Sequence, residues 1–242
     1  MKTLKKVAST NDYSIVYDSF LRDWATEDIG NKLDINQFAG KKGTGTEHLI
    51  VALMDRVLSL LDKPGMRAVI AAAVDWAAAF SRTDPTKTIT KFINMGLRSS
   101  LVSVLIEFIE ERQMTVKYNG KESKLHTLIG GGPQGSWSGQ ACYLTASNDC
   151  ADAVELDDRY RYCDDLTVLE LVMLGDILTE YNFLAHVASD IPLDYRYLPP
   201  SRLDTQSNLD AISSWTDSNL MQLNESKTVY TFFTRSREQF CT

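Results

Sequence analysis

Two adjacent aspartates, Asp164 and Asp165, are the residues of this sequence with the clearest potential for chemistry. They lie between two strand-like runs, residues 159–163 and 166–171, and this pattern predicts a tight β-hairpin with both carboxylates at its turn. Like charges ~4 Å apart repel by about 4 kcal/mol at an effective dielectric of ~20, so a third carboxylate nearby would favour a divalent cation. Mg²⁺ is the natural candidate, because it prefers oxygen ligands and completes its shell with water and phosphate oxygens. An Asp-Asp pair is also common in solvated turns, and other residues must decide between the two interpretations.

Asp75 is the candidate for the third carboxylate. It ends an uninterrupted apolar run, residues 68–74, whose composition is typical of a strand buried on both faces. A residue at the end of such a strand projects from the end of the sheet, where sites in α/β-type folds gather. Phe80 follows Asp75 by five residues and is the nearest aromatic side chain downstream except for Trp76.

Several loops contain residue types suited to contact with a ligand. Glycines are concentrated in residues 130–140, where Gln134 offers hydrogen bonds to a base or sugar and glycines such as Gly135 permit close backbone approach, but the same composition is typical of a plain glycine-rich turn. Lys227 precedes a predicted C-terminal strand. The glycine- and lysine-rich loop 37–46 precedes a predicted helix and is suited either to phosphate contact or to a plain flexible turn. It lacks the Gly-Lys-Ser/Thr ending of a P-loop, which argues against an NTPase of that class.

The composition excludes several classes of protein. With 242 residues, 44% hydrophobic and 24% charged, the chain is long enough for a substantial core and ordinary for a globular protein. No apolar run reaches the ~18 residues of a membrane span, and the N-terminus lacks the pattern of a secretory signal, so we expect an intracellular protein without membrane partners. Four cysteines without a Cys-x-x-Cys pair, and three histidines, argue against a zinc site. The net charge of −7 argues against nucleic-acid binding by bulk electrostatics alone.

The sequence predicts a mixture of helices and strands around these residues. A helix at Tyr13–Trp24 has apolar side chains at helical spacing that we expect to pack in the core. Asn119-Gly120 is the strongest hairpin signal in the chain. Further helices are expected at residues 171–181 and 209–220, with a surface loop at residues 186–208.

The order of these motifs resembles the palm of a reverse transcriptase, specifically the enzymes of non-LTR, LINE-like retrotransposons. The similarity rests on Asp75 with an aromatic residue five positions later, Pro133-Gln134-Gly135 before a helix, Tyr162-Cys163-Asp164-Asp165, and Asn224-Glu225-Ser226-Lys227. It extends over residues 36–48 and the Asn119-Gly120 turn, and so over nearly the whole chain. Each motif is weak alone, whereas their common order is specific.

The resemblance implies a mixed α and β right-hand polymerase palm, with an antiparallel sheet that carries the carboxylates, helices behind it and a partial fingers lobe. On this interpretation residues 1–67 are the fingers segment and residues 68–242 the catalytic domain. The implied activity is RNA-directed DNA polymerisation, with dNTPs added to the 3′-hydroxyl of a primer on an RNA or DNA template. Asp75 and Asp164 are then bridging ligands of two Mg²⁺ ions, replaceable by Mn²⁺, and Asp165 is an accessory carboxylate.

The resemblance also assigns the nucleotide site. Phe80 corresponds to an aromatic steric gate that excludes a 2′-hydroxyl, Gln134 and Gly135 line the nucleotide and template side, and Lys227 lies near the triphosphate. The chain departs from the family pattern at Ser81, where an aspartate is usual. It also has little sequence for upstream fingers and none after Thr242 for a thumb.

Two alternative interpretations remain at this stage. An RNA-dependent RNA polymerase shares the two-metal chemistry, but it typically has a second aspartate near Phe80 and Gly-Asp-Asp in the hairpin. A retrotransposon-derived remnant, which binds nucleic acid or another partner without polymerising, is compatible with the short ends. The sequence leaves the oligomeric state open.

Overall fold

The computed structural model describes residues 12–64, 66–109, 112–128, 130–132, 136–173 and 202–235. Its α-helices are α1 (Asp12–Ile29), α2 (Thr46–Leu61), α3 (Ala79–Arg82), α4 (Pro85–Asn94), α5 (Ser99–Ile109), α6 (Trp137–Ala146) and α7 (Arg202–Ser218). Its strands are β1 (Met66–Val74), β2 (Gln113–Met114), β3 (Lys117–Tyr118), β4 (Lys121–Glu122), β5 (His126–Thr127), β6 (Arg159–Tyr162), β7 (Asp165–Met173) and β8 (Val229–Thr234). The predicted combination of helices with an antiparallel sheet is confirmed.

The central sheet has four strands in the order β6-β7-β1-β8. All of its neighbouring pairs are antiparallel. Strand β1 is therefore an inner strand, paired with β7 on one side and β8 on the other. Its side chains from Ala68 to Ala72 are buried, as the uninterrupted apolar run predicted. The predicted C-terminal strand is β8, which begins at Val229.

Helices cover both faces of this sheet. On one face α2 buries Val57 and Leu60 against Val69 of β1 and Leu169 of β7. On the other face, Ile212 of α7 belongs to a second buried cluster at the carboxylate end of the sheet. The sheet and helix residues of that cluster include Val74, Leu166, Val168 and Tyr143. This double cover holds the strand ends in place around the predicted site.

A separate helical core is built by α1, α4, α5 and α6, and it includes Leu21, Phe92 and Leu105. The Asp18 carboxylate on α1 accepts hydrogen bonds from the backbone N–H groups of Trp137 (2.5 Å) and Ser138 (3.1 Å). Because the first N–H groups of a helix have no partners within it, Asp18 caps α6 from outside. The first helix is thereby fixed to the start of the sixth.

Local signals in the sequence account for several element boundaries. The Asp84 side chain accepts a 2.8 Å hydrogen bond from the Lys87 backbone N–H, with Pro85 in the first turn of α4. The Asn119-Gly120 turn joins β3 to β4, with φ of 48° and 71° at its two residues. Two positive φ angles are the requirement of a type I′ hairpin turn, for which Asn-Gly is the preferred pair.

Three expectations about the elements are wrong. The apolar stripe of α1 is exposed, with Tyr13 at 88% and Trp24 at 48%, because α1 turns a different face, including Leu21 and Ala25, to the core. Of the helix expected at residues 171–181, residues 171–173 instead continue strand β7 and pair with β1, while residues 174–181 lie outside the described residues. Of the surface loop expected at residues 186–208, residues 202–208 belong to α7, which begins before the predicted residue 209, and residues 186–201 lie outside the described residues.

None of the helices in the described ranges is long and apolar enough to cross a membrane. The division of the chain into residues 1–67 and 68–242 stays a prediction. Strand β1 begins at Met66, next to that boundary, and α1 from the first part packs on α6 from the second.

Candidate active site at the end of the sheet

Asp75 and Asp165 lie at the same end of the central sheet. The antiparallel register of β1 and β7 runs through Ala73↔Thr167 and ends at Val74↔Leu166, and Asp75, which follows β1, and Asp165, the first residue of β7, adjoin this last pair. The two carboxylates are close enough for the charge of Asp75 to act on Asp165. Two residues separated by ninety positions in the sequence therefore meet at one end of the sheet.

Asp164 belongs to the two-residue turn that joins β6 to β7. Tyr162 pairs with Asp165 across this hairpin, which leaves Cys163 and Asp164 as the turn residues. Cys163 has a φ of 58°, a left-handed conformation that is uncommon for residues with a side chain. A positive φ at the first turn position is a feature of type II′ hairpins. The predicted hairpin is confirmed, with Asp164 in its turn. Asp165 is the first residue of β7, and Cys163, which was expected to end the first strand, is the first residue of the turn.

Asp75 is held from its other side by the turn that precedes β8. The Asn224 amide nitrogen donates to Asp75 Oδ2 over 2.9 Å, and the Asn224 backbone N–H donates to the Asp75 carbonyl over 2.8 Å. Lys227 Nζ lies 3.5 Å from the same Oδ2 atom. The Asp75 side chain is 23% exposed and that of Lys227 69% exposed. One oxygen of Asp75 is thus fixed by donors from the residue 224–227 turn.

The negative charges of this end of the sheet act on one another. Partial desolvation of its carboxyl group raises the pKa of Asp165, although the residue as a whole is exposed. The nearby charges of Asp164 and Asp75 raise this pKa further, while Lys227 lowers it. The structure therefore brings together Asp75, Asp164, Asp165 and Lys227 from the set predicted by the sequence.

The donor chemistry of the three aspartates fits Mg²⁺. Carboxylate oxygens are its preferred protein ligands, and a cation would offset the repulsion that raises the pKa of Asp165. Among the residues that the structure describes, no three His, Cys, Asp or Glu side chains are arranged as a ready set of metal ligands. The fit to Mg²⁺ is therefore one of donor type.

Phe80 lies on α3, close to this end of the sheet, and is half-buried. Its ring stacks on that of Tyr143 in α6, with centroids 4.7 Å apart and an interplanar angle of 24°. Tyr143 is 1% exposed, so the stack fixes Phe80 from the protein side. Tyr143 was not predicted from the sequence, because nothing in the sequence distinguishes a tyrosine of a buried helix from other core residues.

Glycines of the predicted nucleotide loop pack against the Phe80 segment. Gly131 has a φ of 77°, and a Cβ atom there would lie 2.6 Å from the Phe80 carbonyl oxygen. The Gly132 N–H donates to that same oxygen over 2.8 Å. Glycine is thus required at position 131 for close backbone approach within the protein. Gln134 and Gly135 lie outside the described residues, and their predicted role stays a prediction.

Gln37 is a second residue that the sequence did not single out. Its side chain is 1% exposed and hydrogen-bonds to the backbone of Cys163 in the aspartate turn. In the sequence, the glycines and lysines of residues 37–46 were the notable feature of this region, and they suggested phosphate contact. The buried amide was not distinguishable from the other polar residues of that loop.

The fold is similar to that of solved telomerase structures. An apo telomerase from Candida tropicalis, truncated from the C-terminal domain, matches with a TM-score of 0.56 at 11% identity, covering 95% of this chain and 46% of that chain. Telomerase from Candida albicans in complex with a TWJ fragment of telomeric RNA matches with a TM-score of 0.54 at 13% identity, covering 90% of this chain and 35% of that chain. The chain thus spans less than half the length of either.

No family model matches the sequence, and no curated protein does. At these identities the structural similarity concerns the fold. The chain shares the fold of these telomerase structures. At one end of its central sheet, Asp75 follows β1, Asp165 begins β7 and Asp164 lies in the turn between β6 and β7.

Proposed function

We propose that this chain is the catalytic part of an RNA-directed DNA polymerase, which adds dNTPs to the 3′-hydroxyl of a primer by nucleotidyl transfer. The observation that carries the proposal is the register of β1 and β7, which ends at Val74↔Leu166 and so leaves Asp75 and Asp165 next to this last pair, beside the Asp164 turn. The fold around them is similar to that of telomerase structures. Phosphoryl transfer depends on positioning and on stabilisation of charge, so a small set of fixed carboxylates is sufficient to carry it.

Asp75 and Asp164 are the proposed holders of two Mg²⁺ ions, with Asp165 as an accessory carboxylate. When bound, the ions would supply activation of the 3′-hydroxyl and neutralisation of charge on the triphosphate. Asn224 orients Asp75 by donating to its Oδ2 atom. Lys227, which is mostly exposed and 3.5 Å from Asp75, is available to bind triphosphate oxygens or to donate a proton to pyrophosphate.

Phe80 is the proposed discriminator between dNTPs and rNTPs. Its ring stacks on that of Tyr143, with centroids 4.7 Å apart, and the residue is half-buried. A rigid ring beside the sugar would clash with a 2′-hydroxyl, the group by which a protein distinguishes RNA from DNA precursors.

The proposed template is RNA, held with its primer. Support for an RNA partner comes from the fold, since one of the telomerases of similar fold was solved with a fragment of telomeric RNA. The relation to non-LTR retrotransposon enzymes rests on the order of the sequence motifs alone. The spacing of the Asn224-x-x-Lys227 motif fits this proposal, because its first and last residues both contact Asp75.

Primer extension tests the proposed activity. The protein is incubated with an RNA template annealed to a labelled DNA primer, dNTPs and Mg²⁺, in parallel with Asp164→Ala. We expect extension by the parent, and a loss of extension by the variant of 10³-fold or more, on the order of what removal of a catalytic carboxylate costs.

The matched control is Asp55→Ala, which removes an exposed carboxylate from α2 and should leave extension unchanged. Equal extension by Asp164→Ala and the parent would overturn the assignment of Asp164. Binding of the primed template without any extension by the parent would instead support the remnant interpretation, in which the chain is a binding module.

A further inference from the structure

The segment that contains Gln37 runs beside the edge of the catalytic hairpin. The Arg161 backbone N–H donates to the Asn36 carbonyl over 2.9 Å, and the Phe38 N–H donates to the Arg161 carbonyl over 2.9 Å. These bonds make Gln37 and Arg161 partners in a parallel bridge at the outer edge of β6. The backbone pairing ends there, two residues before Cys163.

The Gln37 side chain continues this pairing to the turn itself. Its Oε1 atom accepts the Cys163 backbone N–H over 3.0 Å, and its Nε2 atom donates to the Cys163 carbonyl over 3.3 Å. A carboxamide therefore binds both backbone groups of one residue, as a neighbouring strand would. Cys163 is the residue of the turn with a left-handed φ of 58°, so these bonds fix the conformation that directs Asp164.

The Gln37 side chain and the segment before it are held by further contacts. Gln37 Oε1 accepts a second hydrogen bond, from the Ala39 N–H over 2.9 Å, and the side chain is 1% exposed. Upstream, the Asp34 carboxylate lies 3.0 Å from Arg159 Nε, with side-chain exposures of 2% and 11%. Lys41 Nζ donates to the Asp34 carbonyl over 2.6 Å. The support reaches from the chain segment before α2 to the turn between β6 and β7.

The chemistry of the contact selects glutamine. Glutamate has the same length but no donor for the Cys163 carbonyl, and it would add a negative charge beside Asp164. Methionine has a similar volume and neither a donor nor an acceptor of comparable strength. The contact needs a donor and an acceptor at the end of this side chain. Glutamate lacks the donor, and methionine lacks both.

We propose that Gln37 is a positioning residue of the active site, which holds the Cys163–Asp164 turn so that the Asp164 carboxylate is presented in one orientation. The inference deepens the proposed polymerase function and rests on it for the role of Asp164. It concerns the geometry of the turn, which can be measured whether or not the chain polymerises.

The test compares Gln37→Met and Gln37→Glu with the parent by hydrogen exchange at the Cys163 amide. Loss of the Gln37 acceptor in the methionine variant should lower protection of this N–H by at least 10-fold. A second readout is alkylation of the Cys163 thiol by iodoacetamide, located by peptide mass spectrometry. We expect faster alkylation at Cys163 in the methionine variant, while the buried Cys142 stays unreactive as an internal standard.

In primer extension, both variants should lower kcat by about 10-fold or more, with the KM for dNTP within about two-fold of the parent value. The control is Val57→Ala, a core substitution in α2 that lowers Tm without touching the turn. It should leave kcat and Cys163 alkylation at parent values. If Gln37 had only a structural role, its variants would behave like this control, with a lower Tm but unchanged kcat and Cys163 alkylation.

The outcomes separate the two proposals. Unchanged exchange and alkylation at Cys163 in Gln37→Met would overturn the role of Gln37, whatever the activity. If the turn loosens in Gln37→Met but kcat does not change, the positioning role is overturned as well. If the parent extends no primer, the polymerase proposal fails, while the exchange and alkylation measurements still decide whether Gln37 holds the turn. If Gln37→Met does not fold, the kcat of Gln37→Glu, which lacks the donor to the Cys163 carbonyl, decides the positioning role.

Discussion

The side-chain amide of Asn224 donates a 2.9 Å hydrogen bond to Asp75 Oδ2, while the backbone N–H of the same residue donates to the Asp75 carbonyl. The loop before β8 thus fixes both the main chain and the side chain of the aspartate at the end of β1. In the sequence, Asn224 is the first residue of a short motif. In the structure it occupies Oδ2 of Asp75 and leaves Oδ1 of that carboxylate available to a ligand.

Asn224→Ala should reduce primer extension, because the Asp75 carboxylate loses the donor that orients it. A hydrogen bond to a charged group contributes about 1.5–3 kcal/mol, which corresponds to about 10-fold or more in rate. Single-turnover extension at saturating dNTP measures the effect. Ser226→Ala in the same turn is the comparison, since Ser226 contacts Asn224 Oδ1 and not Asp75. Equal losses in both variants would argue that only the turn, and not the bond to Asp75, matters.

Asp165→Asn should stabilise the protein in metal-free buffer at neutral pH. Because the pKa of Asp165 is raised in the folded state, folding favours its protonated form, and stability falls as pH rises from the ordinary aspartate pKa through the raised value. Removing the charge should raise Tm by about 1–4 °C at pH 7. The gain should vanish below the ordinary aspartate pKa.

Differential scanning fluorimetry with and without Mg²⁺ checks this prediction. Mg²⁺ should stabilise the parent more than Asp165→Asn, because binding of a cation offsets the same repulsion. Asp55→Asn serves as the control for removal of a charge far from the sheet end. A drop in Tm for Asp165→Asn at pH 7 would contradict the account of the raised pKa.

Phe80→Ala should relax sugar selection. Removal of the ring leaves space for a 2′-hydroxyl, and loss of one such steric contact is worth about 10–200-fold in discrimination. The ratio of kcat/KM for dNTP over rNTP measures it. Phe80→Tyr keeps the ring on Tyr143 and should keep the ratio within a few-fold of the parent, on the order of an isosteric change. Equal use of rNTPs by the parent and Phe80→Ala would remove Phe80 from the selection of the sugar.

Asp28→Asn should destabilise the helical core at pH 7. Hydrogen bonds from the Arg98 guanidinium, at 2.7 Å to Oδ2 and 2.6 Å to Oδ1, hold the pKa of Asp28 below its ordinary value. This contribution is present above the ordinary aspartate pKa and is lost as pH falls through the lowered value. Thermal melts at several pH values should show a loss of about 2 °C at pH 7 that shrinks in acid.

The comparison for Asp28 is Glu27→Gln. Glu27 also accepts from Arg98, over 2.7 Å, but its side chain is 71% exposed, so water screens the pair. Its loss should cost less than that of Asp28. A larger effect at Glu27 than at Asp28 would contradict the role assigned to the bidentate contact.

The sequence predicted those parts of the site whose signals are local. An uninterrupted apolar run located β1 and its terminal Asp75, and two strand-like runs around Asp164 and Asp165 located the hairpin. The turn at Asn119-Gly120 was predictable from these two residues alone, since both tolerate the positive φ that the turn requires. In each case the few residues around the feature determine it.

The failures concern contacts between distant segments. The α1 helix exists as predicted, but periodicity identified the wrong face, because the partner helices choose which stripe is buried. The roles of Tyr143 and Gln37 depend on what they touch across the fold, namely the Phe80 ring and the Cys163 backbone. A single sequence contains no local sign of either contact.

The position of β1 inside the sheet has a consequence for biosynthesis. This strand is flanked on both sides by strands that come much later in the chain, β7 and then β8. Pairings between segments so distant form slowly, and a nascent chain emerging from the ribosome cannot complete them until Val229–Thr234 has been synthesised. A premature stop before that strand would leave the inner strand as a bare hydrophobic edge, so such products should aggregate rather than retain partial activity.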